Sequence, residues 1–283
     1  MAPDRRRLAY FPGCMSRDCA REMDVALRGV FDALDVELVE LEDWNCCGGN
    51  LAESADSHAG DVLAERIINS AARMGDELVC ACPVCVARLR RAAGSLKVRS
   101  ALDVLAEPHY LSLIESRRSE KLDGLKAACY YGPPRSASNG DSPENGPPLE
   151  RLVRTCGLAT VKWPGRRKPH GGTSLMTNAA LMRALAGAVL TDAIDAGADL
   201  IILDDPHAQL NLDLFQFQIG CERKRAVEIP VLFVAELVAH VLGLKVTESC
   251  YRRHMTTPLG VFLDYYDRRF AVMTENTTDA STS

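Results

Sequence analysis

Short apolar runs alternate with longer amphipathic stretches along the chain. The apolar runs predict β-strands at 8–11, 36–41, 77–81, 126–131, 199–204 and 231–234. Several of these runs do not alternate between polar and apolar positions, which is typical of strands buried on both faces of a sheet. Helical periodicity between them predicts helices over 22–34, 56–74, 149–156, 177–196 and 206–219. This alternation favours an α/β fold with parallel sheets.

An internal repeat runs through the chain at a constant offset of 123 residues. The pairs that share this offset are Gly48–Gly49 with Gly171–Gly172, Asp76 with Asp199, and Pro83 with Pro206. In each half a helix and then a strand lie between the glycines and the proline, so we predict two copies of one α/β unit, over roughly 7–105 and 124–245. The predicted domains are a first repeat at 1–123, a second at 124–249 and a partly disordered C-terminal extension at 250–283.

Two polar stretches interrupt these patterns. Residues 132–148 are rich in Gly, Pro, Ser and Asn and are predicted to form a loop. Residues 273–283 contain little apolar material, so we predict that this tail is disordered.

Composition and charge argue against a nucleic-acid-binding or membrane-spanning protein. A net charge of −5 gives no basic excess of the kind that nucleic acids or anionic membrane surfaces attract. No apolar run approaches the roughly 20 residues that span a bilayer, and no apolar run follows the N-terminal arginines as in a signal peptide. We therefore expect a cytoplasmic protein with no transmembrane segment and no nucleic-acid partner.

Eleven cysteines are many for a chain with no export signal, and in a reducing compartment clustered cysteines indicate metal or redox chemistry. Five of them form a pattern in which 31 and then 34 residues separate three groups: Cys14, Cys46–Cys47, and Cys82 with Cys85. Cys46 and Cys47 do not pair simply with each other, because consecutive α-carbons lie about 3.8 Å apart, closer than disulfides require. Each group follows a predicted strand or begins a helix, so the five thiols could converge at one sheet edge. Thiolates select zinc, cuprous copper or iron–sulfur clusters.

The pattern C…CCGG…CPVC resembles the cysteine-rich CCG domain of the B-type subunit of heterodisulfide reductase and its relatives, over residues 7 to about 245. In the second half, "DSPENGPPLERLV", "VKWPGRRKPHGG", "DPHAQLNLDLFQ" and "IPVLFVAELVAHVLGL" are similar to the second repeat of that family. The resemblance implies two tandem CCG repeats with a pseudo-two-fold relation, each a small, mostly parallel sheet flanked by helices. It also implies one noncubane [4Fe–4S] cluster. Its ligands would be Cys14, Cys46, Cys47, Cys82 and Cys85, which would take part in catalysis through the bound cluster.

The second motif departs from the family. Cys129 is assigned to the place of the first cysteine, and the other four places hold Pro169, His170, Asp205 and Ala208. No second cluster is expected there. Cys129, His170, Asp205 and His207 can all bind zinc; the alternative is a degenerate site kept for packing or as a substrate pocket.

The resemblance implies an oxidoreductase subunit that transfers electrons to or from disulfide, thiol or other sulfur substrates, including lipoate-bound sulfur. The implied setting is a sulfur-oxidising heterodisulfide-reductase-like complex with a ferredoxin-like C-type subunit, an A-type flavoprotein and a lipoate-carrier protein. No G-x-G-x-x-G follows a strand, so neither FAD nor NAD is expected in this chain. There is no ferredoxin-like cysteine run either, so electrons must pass to or from another subunit.

Three alternatives stay open. The chain could be a CCG-type electron-transfer or anchoring subunit of a succinate:quinone reductase or a lactate-utilisation complex. It could be a non-catalytic assembly subunit whose first motif holds structural zinc. The third alternative is a thiol oxidoreductase that uses Cys82 and Cys85 and leaves the other three cysteines without a role.

Overall fold

The computed structural model describes residues 5–49, 52, 55–119, 122–133, 147–256, 258 and 260–262. The predicted loop at 132–148 lies mostly outside these residues, and the predicted disordered tail at 273–283 lies entirely outside them. Within the described part, every helix is too short or too polar to cross a bilayer.

The first repeat contains a four-stranded parallel sheet in the order β2-β1-β3-β4. Its strands are β1 (Arg6–Phe11), β2 (Val36–Glu40), β3 (Glu77–Cys80) and β4 (Lys97–Ser100). Its helices are α1 (Arg21–Ala33), α2 (Ser57–Ala71), α3 (Pro83–Ala92), α4 (Ala101–Leu105) and α5 (Pro108–Arg117), and a 3-10 turn spans Met15–Arg17.

The second repeat has the same strand order, β6-β5-β7-β8, again all parallel. Its strands are β5 (Lys126–Cys129), β6 (Ala159–Thr160), β7 (Leu200–Leu203) and β8 (Val231–Phe233). Its helices are α6 (Pro148–Thr155), α7 (Ala179–Asp195), α8 (Pro206–Asp213), α9 (Gln216–Arg223), α10 (Val234–Val241) and α11 (Val246–Tyr251), with 3-10 turns at Pro164–Arg167 and Gly172–Met176.

The matching strand order confirms the α/β fold with two repeats. Residues that lie 123 positions apart also have similar backbone geometry in the two repeats. Gly48 and Gly171 both have positive φ, +74° and +98°, a region that glycine enters without steric cost. At Gly171 a Cβ would also lie 2.9 Å from the Cα of Met182, so no larger residue fits. Pro83 and Pro206 both stand in the first turn of a helix, where the missing N–H costs nothing.

All six predicted strands are present, but β4 and β6 were not predicted, because neither contains an apolar run. The helix predicted at 206–219 is two helices, α8 and α9, since the chain leaves helical geometry at Phe215 (φ −113°, ψ 15°).

Strand β1 links two cores on opposite faces of the first sheet. Its Leu8 and Tyr10 point into a large core that continues through the second repeat, whereas Ala9 and Phe11 point into a smaller core that includes Cys47 and Cys85. This follows from the two-residue period of a strand. Helix α1 packs against α10 and α11, so the large core joins the two repeats.

A buried ion pair fastens the described part of the C-terminal extension to the second repeat. His254 Nε2 lies 2.9 Å from Glu236 Oε1, and neither side chain is exposed; Asp213 Oδ2 lies 3.8 Å from His254 Nδ1. Burial lowers the pKa of His254, but the Glu236 carboxylate raises it to about 9. His254 is therefore charged at neutral pH and neutralises a buried carboxylate.

We predict that His254→Ala lowers the free energy of unfolding by about 3–5 kcal/mol, because it leaves Glu236 as a buried charge without its partner. Denaturant unfolding measures this. Arg252→Ala is the matched control, since the Arg252–Glu248 pair is 77% and 71% exposed and its loss should cost less than about 1 kcal/mol. Equal losses in the free energy of unfolding for the two substitutions would contradict a stabilising role of the buried His254–Glu236 pair.

The stability difference between the native protein and His254→Ala should depend on pH. The folded-state pKa of His254 is raised to about 9, above the ordinary value of about 6.5. The stabilisation is therefore complete below about pH 6.5 and declines as the pH rises through about 9. Unfolding measured at pH 6, 7.5 and 9.5 tests this, and a difference that stays constant across the series would refute it.

Candidate metal centre

One cavity of about 360 Å³ is lined by all five cysteines of the first motif. Cys14 follows β1, the Cys46–Cys47 pair follows β2, and Cys82 and Cys85 follow β3. These three strands are neighbours in a parallel sheet, so their carboxyl ends meet at one edge. The predicted convergence of the five thiols is therefore present in the structure.

The start of helix α3 positions two of these thiols. Cys82 is the N-cap residue with extended backbone geometry, and Pro83 then begins the helix. Cys85 lies in the first turn of the same helix. The C-P-x-C sequence thus turns the chain sharply from strand to helix and presents both sulfurs to one cavity.

The five thiols form a row of neighbouring side chains. Cys14 Sγ and Cys46 Sγ lie 3.7 Å apart. The thiols of Cys46 and Cys47, of Cys47 and Cys85, and of Cys85 and Cys82 are near enough to shift each other's pKa. Cys14 and Cys46 are exposed at one end of the row, whereas the other three are buried.

These contacts favour thiolates at two positions. Hydrogen bonding from Cys14, and then from Cys47, holds the pKa of Cys46 far below its ordinary value. Hydrogen bonding from Cys85 lowers the pKa of Cys82 to about 6 against the effect of burial, with a further contribution from His207. The thiolate is the form that binds metals.

Glycines keep the space beside the sulfurs free. A Cβ at Gly13 would lie 3.3 Å from Cys85 Sγ, and one at Gly49 would lie 3.0 Å from Val84 Cγ1 and 3.5 Å from Cys47 Sγ. Soft donors that touch one another and glycines that leave room beside them fit an iron–sulfur cluster.

The second repeat contributes the opposite wall of the same cavity, including Leu175, Met176, His207, Leu210 and Asn211. Sequence reasoning did not single out Leu210 or Asn211. Their spacing was an available signal, because residues 207, 210 and 211 share one face of helix α8.

The degenerate motif is only partly brought together. Asp205 takes the N-cap position that Cys82 has in the first repeat, and its Oδ1 accepts a hydrogen bond of 3.0 Å from the His207 N–H. Donor atoms of Cys82, Asp205 and His207 lie within 4.8 Å of one another. Among the described residues neither Cys129 nor His170 belongs to this group, so zinc binding by Cys129, His170, Asp205 and His207 stays a prediction.

The assignment of Cys129 to the place of Cys14 needs correction. Cys129 lies within β5 opposite Ile202, just as Tyr10 lies within β1 opposite Val79, and Val79 and Ile202 are related by the repeat offset. Cys129 is therefore the counterpart of Tyr10. It is buried, and its carbonyl accepts a hydrogen bond of 3.1 Å from the Trp163 indole N–H. One sequence alone did not reveal this shift, because the loop after β1 and the loop after β5 differ in sequence.

We predict that mild oxidation of metal-free native protein joins Cys14 to Cys46. These thiols touch and are exposed, whereas Cys47, Cys82 and Cys85 are buried from the oxidant. Peptide mapping should show this disulfide, with loss of two hydrogens. Cys46→Ser should abolish it, and Cys19→Ser, at another exposed cysteine, should not. A Cys82–Cys85 disulfide that forms first would contradict this geometry and favour the thiol-oxidoreductase alternative.

Comparisons with known proteins agree with the site. The family model for the CCG cysteine-rich domain matches residues 8–90. The chain is 26% identical to the B-type subunit of the ferredoxin:CoB-CoM heterodisulfide reductase of Methanosarcina acetivorans, covering 93% of this chain and 96% of that protein. It is 24% identical to the 8-methylmenaquinol:fumarate reductase membrane anchor subunit of Wolinella succinogenes, covering 86% and 95%.

A solved structure supports the fold alone. A hypothetical protein from Helicobacter pylori superposes with a TM-score of 0.66 at 12% identity over 90% of this chain, which spans about half (52%) of that protein's chain. Residues 8–90 therefore match the CCG cysteine-rich domain, and the chain is similar over most of its length to the B-type subunits of two heterodisulfide reductases.

Proposed function

We propose that this chain is the iron–sulfur redox subunit of a heterodisulfide-reductase-like complex. Cys14, Cys46, Cys47, Cys82 and Cys85 would hold one noncubane [4Fe–4S] cluster. The observation that carries the proposal is that these five thiols, from three separate parts of the chain, line a single cavity. The similarity to the B-type subunit of heterodisulfide reductase supports it.

The number of thiols argues for an unusual cluster. Structural zinc takes four ligands, and the common iron–sulfur clusters are held by four cysteines. Here a fifth sulfur lies in the same cavity, and two of the five are adjacent in sequence. All five would be ligands of a noncubane centre. When bound, it would supply reversible electron transfer to a sulfur substrate.

The rest of the cavity suits a sulfur-bearing substrate with an apolar arm. Its wall from the second repeat is mainly apolar, with Leu175, Met176 and Leu210. Leu175 and Leu210 are partly buried, and Met176 is 75% exposed. Cys14 and Cys46 are exposed, so a substrate would enter at that end. A disulfide or thiol, such as lipoate-bound sulfur, meets this description.

Partner subunits of the complex would supply the electron path to and from this chain. We propose a ferredoxin-like C-type subunit and an A-type flavoprotein as partners, with a lipoate carrier delivering substrate. The similarity to the fumarate reductase membrane anchor subunit favours a second candidate, a CCG-type electron-transfer or anchoring subunit of a succinate:quinone reductase. Both candidates use the same metal centre, so affinity purification of the tagged chain from its native host discriminates between them through the proteins that co-purify.

We predict that anaerobically purified protein contains about four irons per chain, with the visible absorption of an iron–sulfur cluster. Cys47→Ser should remove most of the iron, because Cys47 lies in the middle of the row of sulfurs. Cys129→Ala is the matched control, since Cys129 is also a buried cysteine but lies in a strand of the second repeat. It should keep the iron and the spectrum.

Two results would contradict the proposed centre. One is a colourless protein with a single zinc per chain, which favours the structural-zinc alternative. The other is iron that survives Cys47→Ser at full stoichiometry and with an unchanged spectrum.

A further inference from the structure

We propose that the second repeat, which has lost its own cluster motif, acts on the cluster of the first repeat through His207. In this proposal His207 is a positioning residue that donates a hydrogen bond to the sulfur of Cys82 and so adjusts the redox potential of the centre. The inference rests on the proposed function, because it requires that Cys82 is a cluster ligand.

The geometry begins at the contact between the repeats. A nitrogen of His207 and the sulfur of Cys82 lie within 4.8 Å of each other, in a group that also contains a carboxylate oxygen of Asp205. Both His207 and Cys82 line the cavity that the five cysteines share. His207 has no counterpart among the erased cysteines, because the repeat offset places it opposite Val84. It therefore stands outside the erased motif.

The backbone of His207 is held by Asp205. The carboxylate of this N-cap residue accepts a hydrogen bond from the His207 N–H, and the same Oδ1 lies 3.6 Å from His207 Nδ1. Asp205 is buried. The first repeat has Cys82, a proposed metal ligand, at the corresponding position. The second repeat has an aspartate there, which caps helix α8 and faces an imidazole.

A second histidine supports Asp205 from the other side. His170 Nε2 lies 3.9 Å from Asp205 Oδ2. Asn211 Nδ2 lies 3.1 Å from His170 Nδ1, and also donates to the carbonyl oxygens of His170 (3.2 Å) and Gly172 (2.9 Å). Asn211, His170, Asp205 and His207 form a row that ends at Cys82.

As in other metal sites, residues that do not bind the metal would act on it through hydrogen bonds to its ligands. Hydrogen bonds to the ligands of a metal centre orient them and change its properties, and those to cluster sulfurs help to set the reduction potential. Reduction adds negative charge to the centre, so an N–H aimed at a sulfur stabilises the reduced form more than the oxidised form. Removing that N–H should make the potential more negative.

The test compares His207→Leu with His207→Gln in anaerobic full-length protein. Leucine removes the donor, whereas glutamine keeps an amide N–H. His109→Gln is the control, because His109 is an exposed histidine on helix α5, outside the cavity. Iron content, the electron paramagnetic resonance spectrum and the midpoint potential are measured for each variant, so the readout does not depend on enzymatic activity.

With iron retained, His207→Leu should shift the one-electron reduction equilibrium about tenfold toward the oxidised form, equivalent to about 59 mV. The potential of His207→Gln should lie close to that of the native protein, and His109→Gln should match it. A native potential and spectrum in His207→Leu would overturn the inference. So would equal loss of iron from the Leu and Gln variants without unfolding, because His207 would then be a ligand. Native protein without iron would instead refute the proposed function.

Discussion

The arrangement of this protein depends on one geometric constraint: adjacent parallel strands end at a common edge. Strands β2, β1 and β3 bring three cysteine-bearing segments to that edge, although 70 residues separate Cys14 from Cys85. Once the sulfurs are in contact, hydrogen bonds among them favour thiolates at Cys46 and Cys82. The glycines beside them keep the space in which a soft metal centre can bind. The convergence of the five thiols therefore follows from the connectivity of the sheet.

Duplication explains why the centre has a second wall. Both repeats have the same strand order, the same left-handed glycine and the same proline at the start of a helix. What diverged is the chemistry at the edge of the second sheet, where Asp205 and Ala208 stand in place of cysteines. Its residues line the cavity beside the sulfurs of the first repeat with apolar side chains and one imidazole. In the proposed function, the second repeat forms part of the surroundings of the centre that the first repeat binds.

The sequence predicted what depends on local pattern and spacing. Unalternating apolar runs located six strands, and the offset of 123 residues revealed the repeat and therefore the common edge. Strands β4 and β6 were missed because pairing with a neighbour, rather than their own composition, makes them strands. Cys129 was assigned to the wrong place because a loop of different sequence follows β5. The proximity of His207 to Cys82, whose donor atoms lie within 4.8 Å of each other, could not be predicted, since it depends on how the two repeats pack.

Anomalous diffraction at the iron absorption edge, from crystals grown and frozen without oxygen, would locate the metal among the five sulfurs. We expect a compact group of iron atoms inside the cavity, bonded to Cys14, Cys46, Cys47, Cys82 and Cys85. A lone zinc atom in that cavity would contradict this expectation, as would sulfurs joined to one another as disulfides with no iron between them.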